Sequence, residues 1–158
     1  MKTLLGIVAA AVLAAPWVAF AQSGSGQSTL FECTLRNGKT VRVTEQGGNF
    51  FYNYGTRNRR ELSLRGSARA GNVFHKMERY YAIATQIRFT RGAYSYIVHS
   101  LPGSTRADAR GSSGVIVLRG NRVLSQQECR RVTEMTGWDL LRTLPEDDER
   151  WLAMSLGD

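Results

Sequence analysis

Two cysteines, two histidines and a heavy loading of arginine are the side chains in this sequence with chemistry to offer. Cys33 and Cys129 stand alone. No second thiol lies close enough to make a Cys-x-x-Cys pair, and neither His75 nor His99 has metal-ligand spacing to either thiol. In an oxidising compartment two such thiols pair. A Cys33–Cys129 disulfide would enclose nearly the whole core and stabilise it by ~4–5 kcal/mol in the chain-entropy account. Hydrolytic chemistry is poorly served. His99 follows an apolar strand, where a lone histidine packs more often than it catalyses. Ser112-Ser113-Gly114 does not make the Gly-x-Ser-x-Gly elbow. Glu32, Glu45 and Glu61 fall near strand ends and read as solvated acids. No phosphate loop, His-Glu-x-x-His or calcium loop occurs. The residues predict no catalytic group, no metal and no cofactor: a binding protein rather than an enzyme.

The arginines suggest what is bound. The chain carries 21 basic residues against 13 acids, a formal net charge of +8, and only Lys2, Lys39 and Lys76 are lysine. Five of the acids, Glu146 to Glu149 and Asp158, lie at the C-terminal end. The remainder is therefore strongly cationic and favours anionic partners, whether an acidic protein or an anionic lipid surface. A GC-rich genome alone would also enrich arginine. Two basic loops stand out. One holds Arg57, Arg59 and Arg60. The other, residues 103–114, is long for a hairpin connection and holds Arg106 and Arg110. Tyrosines accompany them. Alternate members of an aromatic strand face opposite sides, so part of the set Phe50, Phe51, Tyr52, Tyr54, Tyr80, Tyr81, Tyr94 and Tyr96 remains on the outside. Tyr94 and Tyr96 are the candidates for a partner surface. Ordinary cross-strand pairing of aromatics leaves the same trace.

The elements that must carry these residues are short strands. Phe31, Cys33 and Leu35 alternate with polar neighbours, Asn37-Gly38 is a strong hairpin signal, and Val41 and Val43 resume the alternation. Residues 50–54 are aromatic strand material and 61–64 a further short strand. Residues 73–83 fit neither period. Residues 86–89, 94–98, 115–118 and 123–129 read as strands, with Val115 to Leu118 fully apolar and central. The pattern predicts an all-β fold, an antiparallel barrel or sandwich of about seven or eight strands. After Cys129, Val132, Met135, Leu140, Leu141 and Leu144 suggest an amphipathic helix. Thr143-x-x-Glu146 reads as a capping box for a second one. The domain plan is a β domain over 29–130 framed by the disulfide and a C-terminal helical tail over 131–158.

The N-terminal residues set the compartment. Met1-Lys2-Thr3 is a short positive start, Leu4 to Ala15 is apolar, and Ala19-Phe20-Ala21 offers small residues where a signal peptidase reads. Residues 1–21 are expected to be a signal peptide and 22–28 a flexible polar leader. The apolar run falls short of the ~20 residues that span a bilayer, and no lipid-anchor cysteine lies near the cut. The mature chain is expected to be periplasmic or secreted, which argues against nucleic acid as partner and leaves a membrane surface as a peripheral contact.

Phe31-Glu32-Cys33, then Asn37-Gly38-Lys39-Thr40-Val41-Arg42-Val43, with a lone second cysteine at Cys129, resembles the periplasmic lysozyme-inhibitor barrels, the membrane-bound inhibitors of C-type lysozyme. The resemblance covers residues 31–43 and the cysteine frame. It implies a small disulfide-bonded barrel that plugs a hydrolase with a loop. The Ser-Gly-x-x-Tyr loop of that family is matched poorly by Ser67-Ala68-Arg69 and by Ser112-Ser113-Gly114, so no functional residue carries over. C-type lysozymes are basic and would repel a basic inhibitor. The expected function is an inhibitor or immunity protein against an acidic or neutral wall-degrading hydrolase or secreted effector. The alternative is a module for anionic lipid or lipopolysaccharide.

Overall fold

The computed structural model describes residues 26–106, 108–133 and 136–148. The signal-peptide reading lies outside them. The strands are β1 (Ser28–Leu35), β2 (Thr40–Gln46), β3 (Asn49–Thr56), β4 (Arg59–Gly66), β5 (Val73–Arg79), β6 (Ile83–Arg91), β7 (Tyr94–Leu101), β8 (Ser112–Arg119) and β9 (Arg122–Thr133), followed by one helical turn, α1 (Trp138–Leu141). Every pairing is antiparallel. The strands form one open sheet in the order β4-β3-β2-β1-β9-β8-β7-β6-β5.

The hairpin signals hold. Gly38 turns β1 into β2 with φ of 82°, a conformation glycine adopts without strain. Phe31, Cys33, Leu35, Val41 and Val43 alternate inward as their period requires and are buried. β9 joins two halves. Its residues 122–128 pair with β8, and its residues 129–133 pair with β1. The halves face each other across one core, where the Tyr52 ring lies 5.8 Å from both Phe89 and Tyr96. Cys33 and Cys129, 96 positions apart, are disulfide-bonded where β9 passes from one half to the other. Such a bond marks a non-cytoplasmic, oxidising setting. No helix among the described residues is long and apolar enough to cross a membrane.

Three expectations are corrected. First, there are nine strands rather than seven or eight. The additional one is β5, whose side chains are half-buried almost throughout, so neither face leaves a clean period. Second, the sheet does not close into a barrel, because β4 and β5 are edges that do not pair. Backbone groups of β5 are instead taken by the C-terminal segment: His75 N–H donates to Pro145 O at 3.0 Å, and Asp147 N–H donates to His75 O at 2.7 Å. Third, among the described residues of the expected helical tail only α1 is helical; the part of that reading that falls on 149–158 lies outside them. Residues 131–133 continue β9 because they find β1 to pair with. α1 is a single turn, with Leu141 and Leu144 sealing the core. Thr143 does not cap a helix. Its hydroxyl donates back to Leu140 O at 2.6 Å, and Glu146 lies beside β5 instead. Ser28, at the end of the expected leader, already belongs to β1, and Gln27 donates to the Thr44 hydroxyl.

Candidate functional site

The β7–β8 connection carries a backbone-bonded turn of its own. Ser104 and Ala109 exchange backbone hydrogen bonds of 2.9 Å each, and Asp108 N–H donates to Thr105 O at 3.3 Å. Asp108 turns the chain with φ of 47°, which short polar side chains tolerate better than most. At the base, Gly103 and Gly111 approach so closely that a Cβ on Gly103 would sit 2.9 Å from Gly111 N. The long connection thus contains a small turn of its own, with Arg106 and Arg110 exposed.

A second turn stands beside it. Tyr80 N–H donates to Ala82 O at 2.8 Å, which reverses β5 into β6. The Tyr81 hydroxyl donates to Arg110 O at 3.1 Å and so ties the two turns together. Tyr80, Tyr81 and Ile83 are 43%, 40% and 40% exposed, a concentration of large apolar surface at one end of the sheet. The Tyr80 hydroxyl donates to Glu78 at 2.6 Å, and this bond raises its pKa. The same end opens into a cleft of about 430 Å³ whose walls include His75, Met77, Arg79, Arg142 and Glu146. His75 Nδ1 donates to Pro145 O at 3.2 Å, which fixes the ring. No group of three or more His, Cys, Asp or Glu that could hold a metal occurs among the described residues. What this end offers is aromatic area bordered by guanidinium groups, the composition of a protein contact surface.

The residues named from sequence fall in several places. Arg106 and Arg110 share the connection just described. Arg57, Arg59 and Arg60 are exposed on the β3–β4 hairpin, the last two opening β4, in the other half of the sheet. Tyr94 is 38% exposed, beneath the Arg119 guanidinium at 5.8 Å. Tyr96 is half-buried and packs on Tyr52 against the core, because its register position opposite Phe89 and Val117 faces inward, so it offers less outer surface than expected. Tyr80 and Tyr81 were legible as tyrosines but not as a turn. The missing period over residues 73–83 was the signal, since a hairpin reverses there.

His99 is buried at 6% exposure, opposite Gly114 in the register. Burial pushes its imidazole down to about 4, with only partial opposition from Glu128. It is a neutral packed ring near neutral pH. Sequence reading missed the strongest ionic feature. Arg88 Nε and Nη2 donate to Asp147 at 2.8 and 2.7 Å, with Gln86 Nε2 at 3.3 Å and the Phe74 ring 4.6 Å from the guanidinium. Separation in sequence hid it, and the expected helical tail placed Asp147 elsewhere.

No family model, curated protein or solved structure matches this chain. The likeness to the lysozyme-inhibitor barrels rests on the residues of β1, β2 and the cysteine frame alone.

Proposed function

We propose that this is an exported periplasmic or secreted binding protein that acts as an inhibitor or immunity protein against a wall-degrading hydrolase or secreted effector. One observation carries the reading. The Tyr81–Arg110 hydrogen bond joins two turns into a single surface with Tyr80, Tyr81 and Ile83 at its centre and Arg106 and Arg110 at its margin. Aromatic anchors lose little conformational freedom on binding. The disulfide and the segment laid along β5 suit a protein that must survive outside the cytoplasm. The arginine excess selects an acidic or neutral target, since like charges across an interface are costly. Arg106 and Arg110 would meet target carboxylates in paired hydrogen bonds, and the β3–β4 arginines would contribute long-range attraction.

The test is inhibition of peptidoglycan hydrolysis. Purified protein is titrated against acidic and neutral exported hydrolases from the producing cell. Inhibition is expected for at least one of them. Tyr80→Ala with Tyr81→Ala should weaken it by 100-fold or more, the scale of losing central aromatic anchors. Arg106→Glu with Arg110→Glu should weaken it about 10-fold or more, with thermal stability unchanged. Inhibition that persists in both double variants would remove this end of the sheet as the contact surface.

A further inference from the structure

The opposite end of β6–β9 carries a second surface. In the register Arg91 faces Tyr94, Tyr94 faces Arg119, and Arg119 faces Arg122. Residues directly opposed in an antiparallel pair share a face. These four therefore form one transverse row across four strands, about 14 Å long at ~4.8 Å per strand. The β6–β7 and β8–β9 turns that end the row are joined by the Gly120 N–H, which donates to Ala93 O at 2.8 Å. The 67–72 turn stands against the same end, where Thr90 N–H donates to Asn72 O at 2.9 Å, and it adds the exposed Arg69.

Two features separate this row from an ordinary solvated face. Its charge is uncompensated. Residues 88–96 and 115–127 contain no Asp or Glu. None of Arg69, Arg91, Arg119 and Arg122 has an ion pair among the described residues. Like charges directly opposed across strands are destabilising, so the fold bears a cost at Arg119–Arg122 that an anionic ligand would relieve. Exposed apolar side chains also accompany the row at the β8–β9 turn: Tyr94 in the row is 38% exposed, and Val123 and Leu124, which follow Arg122 on alternate faces of β9, are 37% and 47% exposed.

We propose that this end is a docking surface for an anionic lipid bilayer. Arginines would engage lipid phosphates through paired hydrogen bonds. Tyr94 would sit at headgroup depth, as interfacial tyrosines do. Val123 and Leu124, on the β8–β9 hairpin, would enter the acyl boundary. An acidic protein would satisfy the arginines, but a narrow row ending in a hairpin with adjacent exposed aliphatics offers it little to pack against. The proposal stands independently of the Tyr80–Tyr81 contact surface.

The experiment is vesicle co-sedimentation. It uses exported protein whose mass shows that residues 1–21 are gone, so that the apolar leader contributes nothing. Vesicles are pure phosphatidylcholine or phosphatidylcholine with one third phosphatidylglycerol. Binding is expected to the anionic vesicles only, and to fall with added salt. Arg91→Gln, Arg119→Gln and Arg122→Gln together should weaken it at least 10-fold. Val123→Ser with Leu124→Ser should weaken it measurably at unchanged charge. Arg106→Gln with Arg110→Gln, at the far end, should leave it unchanged. Equal binding to neutral vesicles would overturn the proposal. So would an unaffected triple variant, an equal loss in the far-end control, or equally tight binding of soluble polyglutamate, which would reduce the effect to bulk charge.

Discussion

Removing the Asp147 carboxylate should be among the most damaging single substitutions in this chain. Asp147 is 1% exposed and Arg88 8%. The carboxylate accepts two hydrogen bonds from the guanidinium, at 2.8 and 2.7 Å, and a third from Gln86 at 3.3 Å. In Asp147→Ala the guanidinium stays buried and loses this carboxylate. Breaking a buried pair in this way costs about 3–5 kcal/mol, a large part of the ~5–15 kcal/mol that holds a typical domain together. Asp147→Asn keeps a side-chain acceptor for Arg88 and should cost about 1–3 kcal/mol, the range for an impaired buried hydrogen bond. The pair itself adds much less to net stability, because both ions were desolvated to form it. Arg88→Met with Asp147→Leu should therefore cost well under the sum of the two single variants. Urea unfolding of wild type, Arg88→Met, Asp147→Leu and the double variant, with slopes compared as well as midpoints, gives the double-mutant cycle. Amide exchange should add a local signature. The Asp147 and His75 N–H groups that link the C-terminal segment to β5 should lose protection in Asp147→Ala. A cost below about 1 kcal/mol for Asp147→Ala would refute the reasoning, since a guanidinium that tolerates losing its partner is not buried as described.

Three further outcomes follow from the same geometry. Reduction of Cys33–Cys129, which closes 96 positions, should lower stability by about 4–5 kcal/mol; an unchanged urea midpoint under reductant would contradict this. His99 titrates near 6.5 in the unfolded chain but only at about 4 when folded. The unfolded state therefore binds the extra proton in between, and stability present above pH 6.5 is lost as pH falls toward 4, by about 3 kcal/mol. Measured by urea midpoints from pH 7 to 4, that part of the slope should vanish in His99→Gln. Gly114→Ala would drive a Cβ into the Gln127 carbonyl and to 3.1 Å from His99 Nε2, so it should cost about 1–3 kcal/mol, read by thermal melting.

Local signals were readable where a face is buried on one side only. Phe31, Cys33 and Leu35 alternate because β1 faces the core with one set of side chains, and Asn37-Gly38 turns because glycine accepts positive φ. Val115 to Leu118 was readable as a central strand because both of its faces are covered. Ile116 and Leu118 join Ile97 in a small cluster apart from the main core. The failures share a cause. Residues 73–83, 131–133 and 145–147 take their conformations from partners far away in sequence. β5 is half-buried because the C-terminal segment borders it, and that segment is extended because β5 supplies its hydrogen bonds. The first stretch has no period to read, and the helical spacing read after Cys129 was a local pattern. The capping-box pattern at Thr143 was a local preference that the tertiary hydrogen bonds of Pro145 and Asp147 outweighed. The site divides in the same way. Arg106 and Arg110 were found from loop length and composition, but the bond to Tyr81 that makes them part of a surface spans 29 positions.

The placement of charge follows from this arrangement. The acids near the C terminus looked from composition like a separate tail that left the rest of the chain strongly cationic. In the fold, Asp147 neutralises Arg88 within the sheet, while Glu146 lies against β5. Elsewhere Glu32 neutralises Arg42, Glu61 neutralises Lys39, and Glu128 neutralises Arg36. The rest of the cationic excess is shared among the β3–β4 hairpin, the connection holding Arg106 and Arg110, the Arg91–Arg122 row at the other end of the same strands, and arginines outside these patches such as Arg65, Arg130 and Arg142. Exposed aromatics accompany the connection and the row but not the hairpin. Charge without apolar area attracts but packs against little, which is why the β3–β4 arginines are assigned attraction and the two ends of β6–β9 are assigned contact. A protein docked to a membrane through the Arg91–Arg122 row would direct Tyr80, Tyr81 and Arg110 away from that membrane, because the turns that carry them end the same strands in the opposite direction.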